Sequence, residues 1–239
     1  MKNEILVEKI KCSYIRKHTL FKNIPEDEFS EICAKARLVK VSRKTPLLLN
    51  SDPVSRVYFV GNGTAKQVYY GKGGHNHVTD ILVNGDIFGD FTFSGFNAQG
   101  YVKGLKPNTF IFYFIASHFK KMLQQNHNLS LNFAENISSK LRYLEERHFV
   151  WTNKDARQRL LYFFKGWSAC DGIRTGDKII LENYFSLGDI ADFIGVSRQF
   201  IHTIVKELKE EGQVYYSRNK ILIAEGFLNP AIPHRKQAV

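Results

Sequence analysis

The stretch LGDIADFIGVSRQFIHTIVKELKEEGQV, residues 187–214, decides how the chain reads. Leu187, Ile190, Ala191 and Ile194 recur at helical spacing, as do Phe200, Ile201, Ile204, Val205 and Leu208, and the pattern breaks at Gly195. Two short amphipathic helices meeting at a glycine predict a helix-turn-helix. The junction requires a left-handed backbone angle, which glycine adopts without a Cβ clash. Ser197 is then a good N-cap for the second helix, and the cap exposes Arg198 and Gln199 at the helix front. Such a helix can enter a major groove N-terminal end first. There, Arg bonds guanine O6 and N7 together, and Gln does the same with adenine N6 and N7. Ile190, Ala191, Ile194, Val196, Ile201 and Val205 supply the scaffold. The plainer alternative is an αα-hairpin in an ordinary helical domain. It is disfavoured by Gly, Ser and Arg at these places, and by the piece that follows. QVYYSRNKILIAE reads as two short strands flanking SRN, a small wing.

Upstream of this stretch lie a helix, DARQRLLYFFKGWSA, and a short strand, DKIILEN. Residues 118–150 are also helical. Ala134, Ile137, Leu141, Leu144, His148 and Trp151 step by three and four residues, which predicts a dimer seam more strongly than a helix lying on its own domain. From Leu38 to Phe119 the texture changes. Short β-branched and aromatic runs alternate with turn signals such as VGNG and GKGG, as in an antiparallel barrel or roll. NIPEDEFSEICAKA before it reads as a helix with an acidic first turn, and residues 5–22 as an irregular amphipathic helix.

Composition bounds the function. The chain has 239 residues and is 44% hydrophobic, enough for a large core. No apolar run approaches the ~20 residues of a membrane span, and the charged N-terminus lacks a signal-peptide core, so a cytoplasmic location is expected. The net charge of +11 suits an anionic partner. It is not concentrated on the helix-turn-helix, however: residues 1–150 hold 21 basic and 13 acidic side chains, residues 151–239 hold 13 and 10. Cys12, Cys33 and Cys170 form no CxxC pair and cannot complete a four-cysteine site, so reduced structural thiols are expected. His75 and His77 lie in a Gly-rich turn and read as solvated rather than metallated. There is no nucleophile elbow, P-loop or metal spacing, so neither enzyme chemistry nor a cofactor or metal is expected.

Nearly the whole chain resembles the transcription regulators of the cyclic-AMP receptor protein and fumarate-nitrate reduction regulator (Crp/Fnr) family. LFKNIPEDEFSEI resembles the lead-in helix, VYFVGNGTAKQVYY the sensor strand pair, GDIFGDF the start of the phosphate-binding cassette, and residues 187–214 the reading head. The resemblance implies an α+β architecture. Residues 1–117 would form a cyclic-nucleotide-binding-like β-roll sensor, 118–152 a long dimerisation helix and 153–239 a winged helix-turn-helix. The seam would comprise Ala134, Ile137, Leu141, Leu144 and His148. The DNA contacts would be Ser197, Arg198, Gln199, His202 and Thr203. Expected partners are double-stranded DNA, a second copy of the chain, RNA polymerase, and a small-molecule effector or none.

Two departures from the family shape the expectation. Cyclic-nucleotide-binding members pair an acidic cassette residue with a downstream Arg-Ser or Arg-Thr that neutralises the phosphate. Here Gly89 and Asp90 open the cassette, but Gly100 and Tyr101 stand at the expected Arg-Ser positions, and no arginine lies between Arg56 and Arg142. A buried phosphate would lose its charge-assisted partner, and nearby Lys103 does not reproduce a bidentate fork. Leu144 and Glu145 fall near the place of hydroxyl contacts to adenine. Cyclic AMP is therefore not expected to bind. Phe88, Phe91, Phe93, Phe96 and Tyr101 either collapse into core or line an aromatic pocket. Together Phe88, Gly89, Asp90, Phe91, Gly100, Tyr101 and Leu144 are the candidate effector residues. The reading helix also departs, with Gln199 and Thr203 where the family has Glu and Arg, which implies an altered half-site. The competing class is an adaptor of the same fold that has lost specific DNA binding.

Overall fold

The computed structural model describes residues 2–49, 54–71, 76–91 and 99–228, with side chains described from residue 8. The described residues pack as two units, the first reaching Lys140 and the second starting at Leu141.

The first unit begins with α1 (Lys2–Lys17), a 3-10 turn at Thr19–Phe21 and α2 (Glu26–Lys35). Eight strands follow: β1 (Arg37–Val41), β2 (Leu47–Leu48), β3 (Arg56–Asn62), β4 (Ala65–Tyr70), β5 (Asn76–Leu82), β6 (Ile87–Gly89), β7 (Gly100–Gly104) and β8 (Thr109–Ile115). They form two antiparallel four-stranded sheets, ordered β1-β8-β3-β6 and β2-β7-β4-β5. This is the roll expected from the turn spacing.

The central strands β3 and β8 of the sheet β1-β8-β3-β6 are buried on both faces, which explains why RVYFV and TFIFYFI are nearly unbroken apolar runs. One face of β3 and β8 sends Val57, Phe59, Phe112 and Phe114 against the helices, with Phe21, Phe29, Ile32 and Phe119. The other face sends Tyr58, Val60 and Ile111 into the roll, with Val41, Ala65, Leu82, Phe88 and Val102. The register places Phe59 opposite Phe112, and their rings stack at 5.0 Å between centroids. Gly63, between β3 and β4, has φ +90°, and a Cβ there would lie 2.6 Å from Thr109 Oγ1. Only glycine fits this turn.

Two expectations are corrected here. Cys12 and Cys33 are joined in a disulfide, Cα–Cα 5.6 Å, while Cys170 takes no part in a disulfide. The spacing rules weighed close pairs, whereas α1 packing on α2 brings together cysteines 21 residues apart. The helical stretch at 118–150 is two helices, α3 (Ala116–Gln125) and α4 (His127–Asn153). They part at Asn126, whose side-chain carbonyl accepts from Leu129 N–H at 2.7 Å and caps the second.

The second unit holds the end of α4, then α5 (Ala156–Asp171), β9 (Ile173–Thr175), β10 (Lys178–Glu182), α6 (Leu187–Ile194), α7 (Arg198–Glu210), β11 (Val214–Tyr216) and β12 (Lys220–Ala224). The four strands form one sheet, β11-β12-β10-β9. Asp155 caps α5 in a reciprocal box with Gln158. Leu160, Phe164, Leu181, Ile190, Ile194, Ile201, Leu208, Ile221 and Ile223 are fully buried, so helices and sheet share one core.

Candidate nucleic-acid interface

The interface is built from two capped helices and the turn between them. Ser186 Oγ accepts from Asp189 N–H at 3.1 Å, and the Asp189 carboxylate accepts from Ser186 N–H at 3.2 Å, a capping box that starts α6. Gly195 ends α6 at φ 72° and ψ 46°. Arg159, from α5, donates to the Ile194 carbonyl at 3.3 Å and so satisfies one of the last carbonyls of α6. Ser197 Oγ accepts from Phe200 N–H at 3.1 Å and starts α7. Ile190, Ala191, Ile194, Ile201, Ile204 and Leu208 are buried between the helices and the sheet.

The outward face of α7 carries the expected contact residues. Ser197, Arg198, Gln199, His202 and Thr203 are all exposed. The Arg198 guanidinium lies along the first turn of α6, where a Cβ at Gly188 would come 3.2 Å from its Nε. Thr203 Oγ1 donates to the Gln199 carbonyl at 3.3 Å, so its hydroxyl is engaged with its own helix. The wing turn is fixed by Ser217, whose N–H and hydroxyl both donate to the Lys220 carbonyl, at 2.9 and 2.7 Å. Asn183 anchors it by donating to the Ser217 carbonyl at 2.7 Å. Exposed Lys206, Arg218 and Lys220 complete a basic rim that the sequence reading did not assign. Its signal was present in SRNK and one turn beyond Thr203. At the far end of α7, Glu211 accepts from Nη1 and Nη2 of Arg157, which holds its carboxyl below the usual range.

In the first unit the cassette residues are held by packing. Phe88 stacks on Tyr58 at 5.0 Å inside the roll, and Phe91 lies against Phe133. Gly89 has φ +107°, and a Cβ there would lie 2.5 Å from the Arg56 carbonyl oxygen. Asp90 is buried and accepts from Ser55 Oγ at 2.5 Å. Tyr101 is half-buried beside Tyr70. Gly100 is closed off: a Cβ there would lie 2.1 Å from the Val68 carbonyl oxygen. Phe93 and Phe96 lie outside the described residues. The sequence reading missed the buried polar groups of the roll, Gln67 and Asp80, which face each other across β4 and β5. Lys140 of α4 makes an ion pair with Asp80.

The stripe on α4 is open in the single chain. Ala134 and His148 are exposed, Ile137 is half-buried, and Leu141 and Leu144 are 55% and 36% exposed. Trp151, read as the end of the same stripe, instead packs within the second unit. Its Nε1 donates to the Phe193 carbonyl at 3.1 Å and its ring stands edge-on to Tyr162 and Phe193. An indole needs both an apolar bed and an acceptor, and α5 and α6 supply them.

No protein-family model and no curated protein matches the chain in sequence. Its similarity lies in structure. It superposes on a CooA mutant from Carboxydothermus hydrogenoformans with TM-score 0.69 at 22% identity, over 87% of this chain and 92% of that one. FixK2 from Bradyrhizobium japonicum gives 0.66 at 16% identity, over 81% and 95%. The c-di-GMP-responsive global regulator CLP from Xanthomonas campestris gives 0.70 at 12% identity, over 84% and 99%. With a two-sheet roll, a long helix and a winged helix-turn-helix in this order, the chain has the fold of the Crp/Fnr regulators.

Proposed function

We propose that the protein is a homodimeric, sequence-specific DNA-binding transcription regulator without catalytic activity. In this reading, residues 1–117 act as sensor, 118–152 as dimerisation helix and 153–239 as DNA reader, with RNA polymerase as a further partner at the promoter. The observation that carries it is the exposed face of α7: a Ser197-capped helix, set off by a left-handed Gly195, that presents Arg198, Gln199, His202 and Thr203 to solvent over a complete core. The likeness to CLP, described as a global regulator, supports the same reading. The open stripe Ala134, Ile137, Leu141, Leu144 and His148 supports the dimer. The closed Gly100 supports a sensor that does not take cyclic AMP.

The test is a binding-site selection at fixed salt with wild type, Arg198→Ala and Gln199→Glu. One bidentate Arg–guanine pair is worth roughly 1–3 kcal/mol of discrimination. Arg198→Ala should lose it at one base position per half-site, with half-sites about one helical turn (~34–36 Å) apart. Gln199→Glu should move preference from adenine towards cytosine, because a carboxylate only accepts. An even loss across all sequences would make Arg198 a backbone contact. If neither variant changes binding, the protein is an adaptor of this fold.

A further inference from the structure

Phe200 is the one apolar residue on the exposed face of α7. Its exposed neighbours Arg198, Gln199, His202, Thr203, Lys206, Glu207, Lys209 and Glu210 are all polar or charged. The core of α7 is complete without it, since Ile201, Ile204, Val205 and Leu208 are buried, whereas Phe200 is 50% exposed. Its backbone N–H donates to Ser197 Oγ, so the cap that fixes the start of α7 also fixes this residue in its first turn. Among the described residues no ring or cation packs on it. Tyr215, another exposed aromatic of this unit, has Lys209 over its ring.

A phenyl ring has no donor or acceptor, so it cannot read the hydrogen-bonding pattern of a base edge. The major groove offers one apolar feature that varies with sequence, the C5 methyl of thymine. We propose that Phe200 is a specificity-determining residue that packs on a thymine C5 methyl, beside the bases met by Arg198 and Gln199. The proposal rests on the reading of α7 as the groove-entering helix. The chemistry recognised is the methyl and not the rest of the base, so 5-methylcytosine, which carries its methyl at the same ring position, satisfies Phe200 where cytosine does not.

The experiment uses the full-length protein and an operator obtained by selection. Each thymine of one half-site is replaced in turn by deoxyuridine, which removes the methyl and leaves every hydrogen bond. One replacement is expected to lower wild-type affinity about fourfold, the worth of one methyl-sized apolar group. The same replacement should leave Phe200→Ala unaffected, and a 5-methylcytosine placed there should bind wild type more tightly than cytosine does. An operator that tolerates every deoxyuridine overturns the Phe200 assignment and leaves the DNA-binding reading standing. So does a Phe200→Ala variant that weakens all sequences alike, because the ring would then be packing on the sugar-phosphate backbone. Failure of wild type to select any sequence overturns both readings.

Discussion

His18 shows how one side chain ties this fold to pH. It is fully enclosed by Phe21, Phe59 and Phe112, and its Nδ1 accepts from Leu20 N–H at 3.2 Å. The proton therefore sits on Nε2, which has no hydrogen-bond partner among the described residues. Burial lowers its pKa from the ordinary 6.5 to about 3, because an imidazolium there would be desolvated. Between those values the unfolded chain takes up a proton that the native state refuses, so stability falls as the pH drops below about 6.5. The slope is about 1.4 kcal/mol per pH unit from this group, or roughly 2 kcal/mol lost at pH 5. Urea unfolding at pH 7.5 and 5 should show that loss in wild type, over and above the change in His18→Asn, which keeps a capping acceptor but does not titrate. Equal pH dependence in the two proteins would mean that the imidazole charges in place. Nothing in the sequence marks His18 as different from the other seven histidines. Its burial depends on β3 and β8, which lie far along the chain.

Single elements carry separable tests. Gly195 sits at φ +72°, and a Cβ there would meet only Arg159 Nη1 at 3.8 Å. Gly195→Ala should therefore cost roughly 1–2 kcal/mol through backbone strain alone. Gly166, inside α5, has open space around it and no left-handed angle. Gly166→Ala should instead stabilise by up to about 1 kcal/mol. Opposite signs in denaturant midpoints would separate conformation from packing. On α4, Leu141 is 55% exposed, so Leu141→Glu should leave the folded chain intact. It would bury facing charges without partners in a dimer seam. Sedimentation should show a monomer with native circular dichroism, and a dimer would remove the seam assignment. The periodicity of α4 was legible from three-and-four steps, but the fate of Trp151 was not. Periodicity identifies a face without identifying what covers it, and Trp151 found its cover in Phe193 and Tyr162.

Across the whole molecule, the proposal that cyclic AMP is not bound rests on backbone packing as well as on the missing arginine. At Gly100, β7 runs so close to β4 that a Cβ would stand 2.1 Å from the Val68 carbonyl oxygen. Gly100→Arg should therefore fail to create binding and should destabilise the roll. Titration calorimetry of wild type and this variant with cyclic AMP should show no heat of binding in either, and micromolar binding by wild type would overturn the assignment. The sequence by itself determined the order of elements, apart from β9 and the break at Asn126 that divides the long helical stretch. Local chemistry fixes them: alternating apolar runs between turn residues make the strands, Ser197 and Gly195 make the helix-turn-helix, and Gly100 and Tyr101 stand where the family resemblance would place Arg-Ser. These signals act within a few residues, so they survive without knowledge of the fold. Only the tertiary structure decided that Cys12 joins Cys33, that Phe88 and Phe91 are spent on packing, and that Asp80 meets Lys140. Only the tertiary structure, too, left Phe200 bare while its neighbour Ile201 is buried. Each of these outcomes depends on which distant surface arrives beside a residue, and burial and pairing are properties of that arrangement rather than of the residue's own stretch of chain.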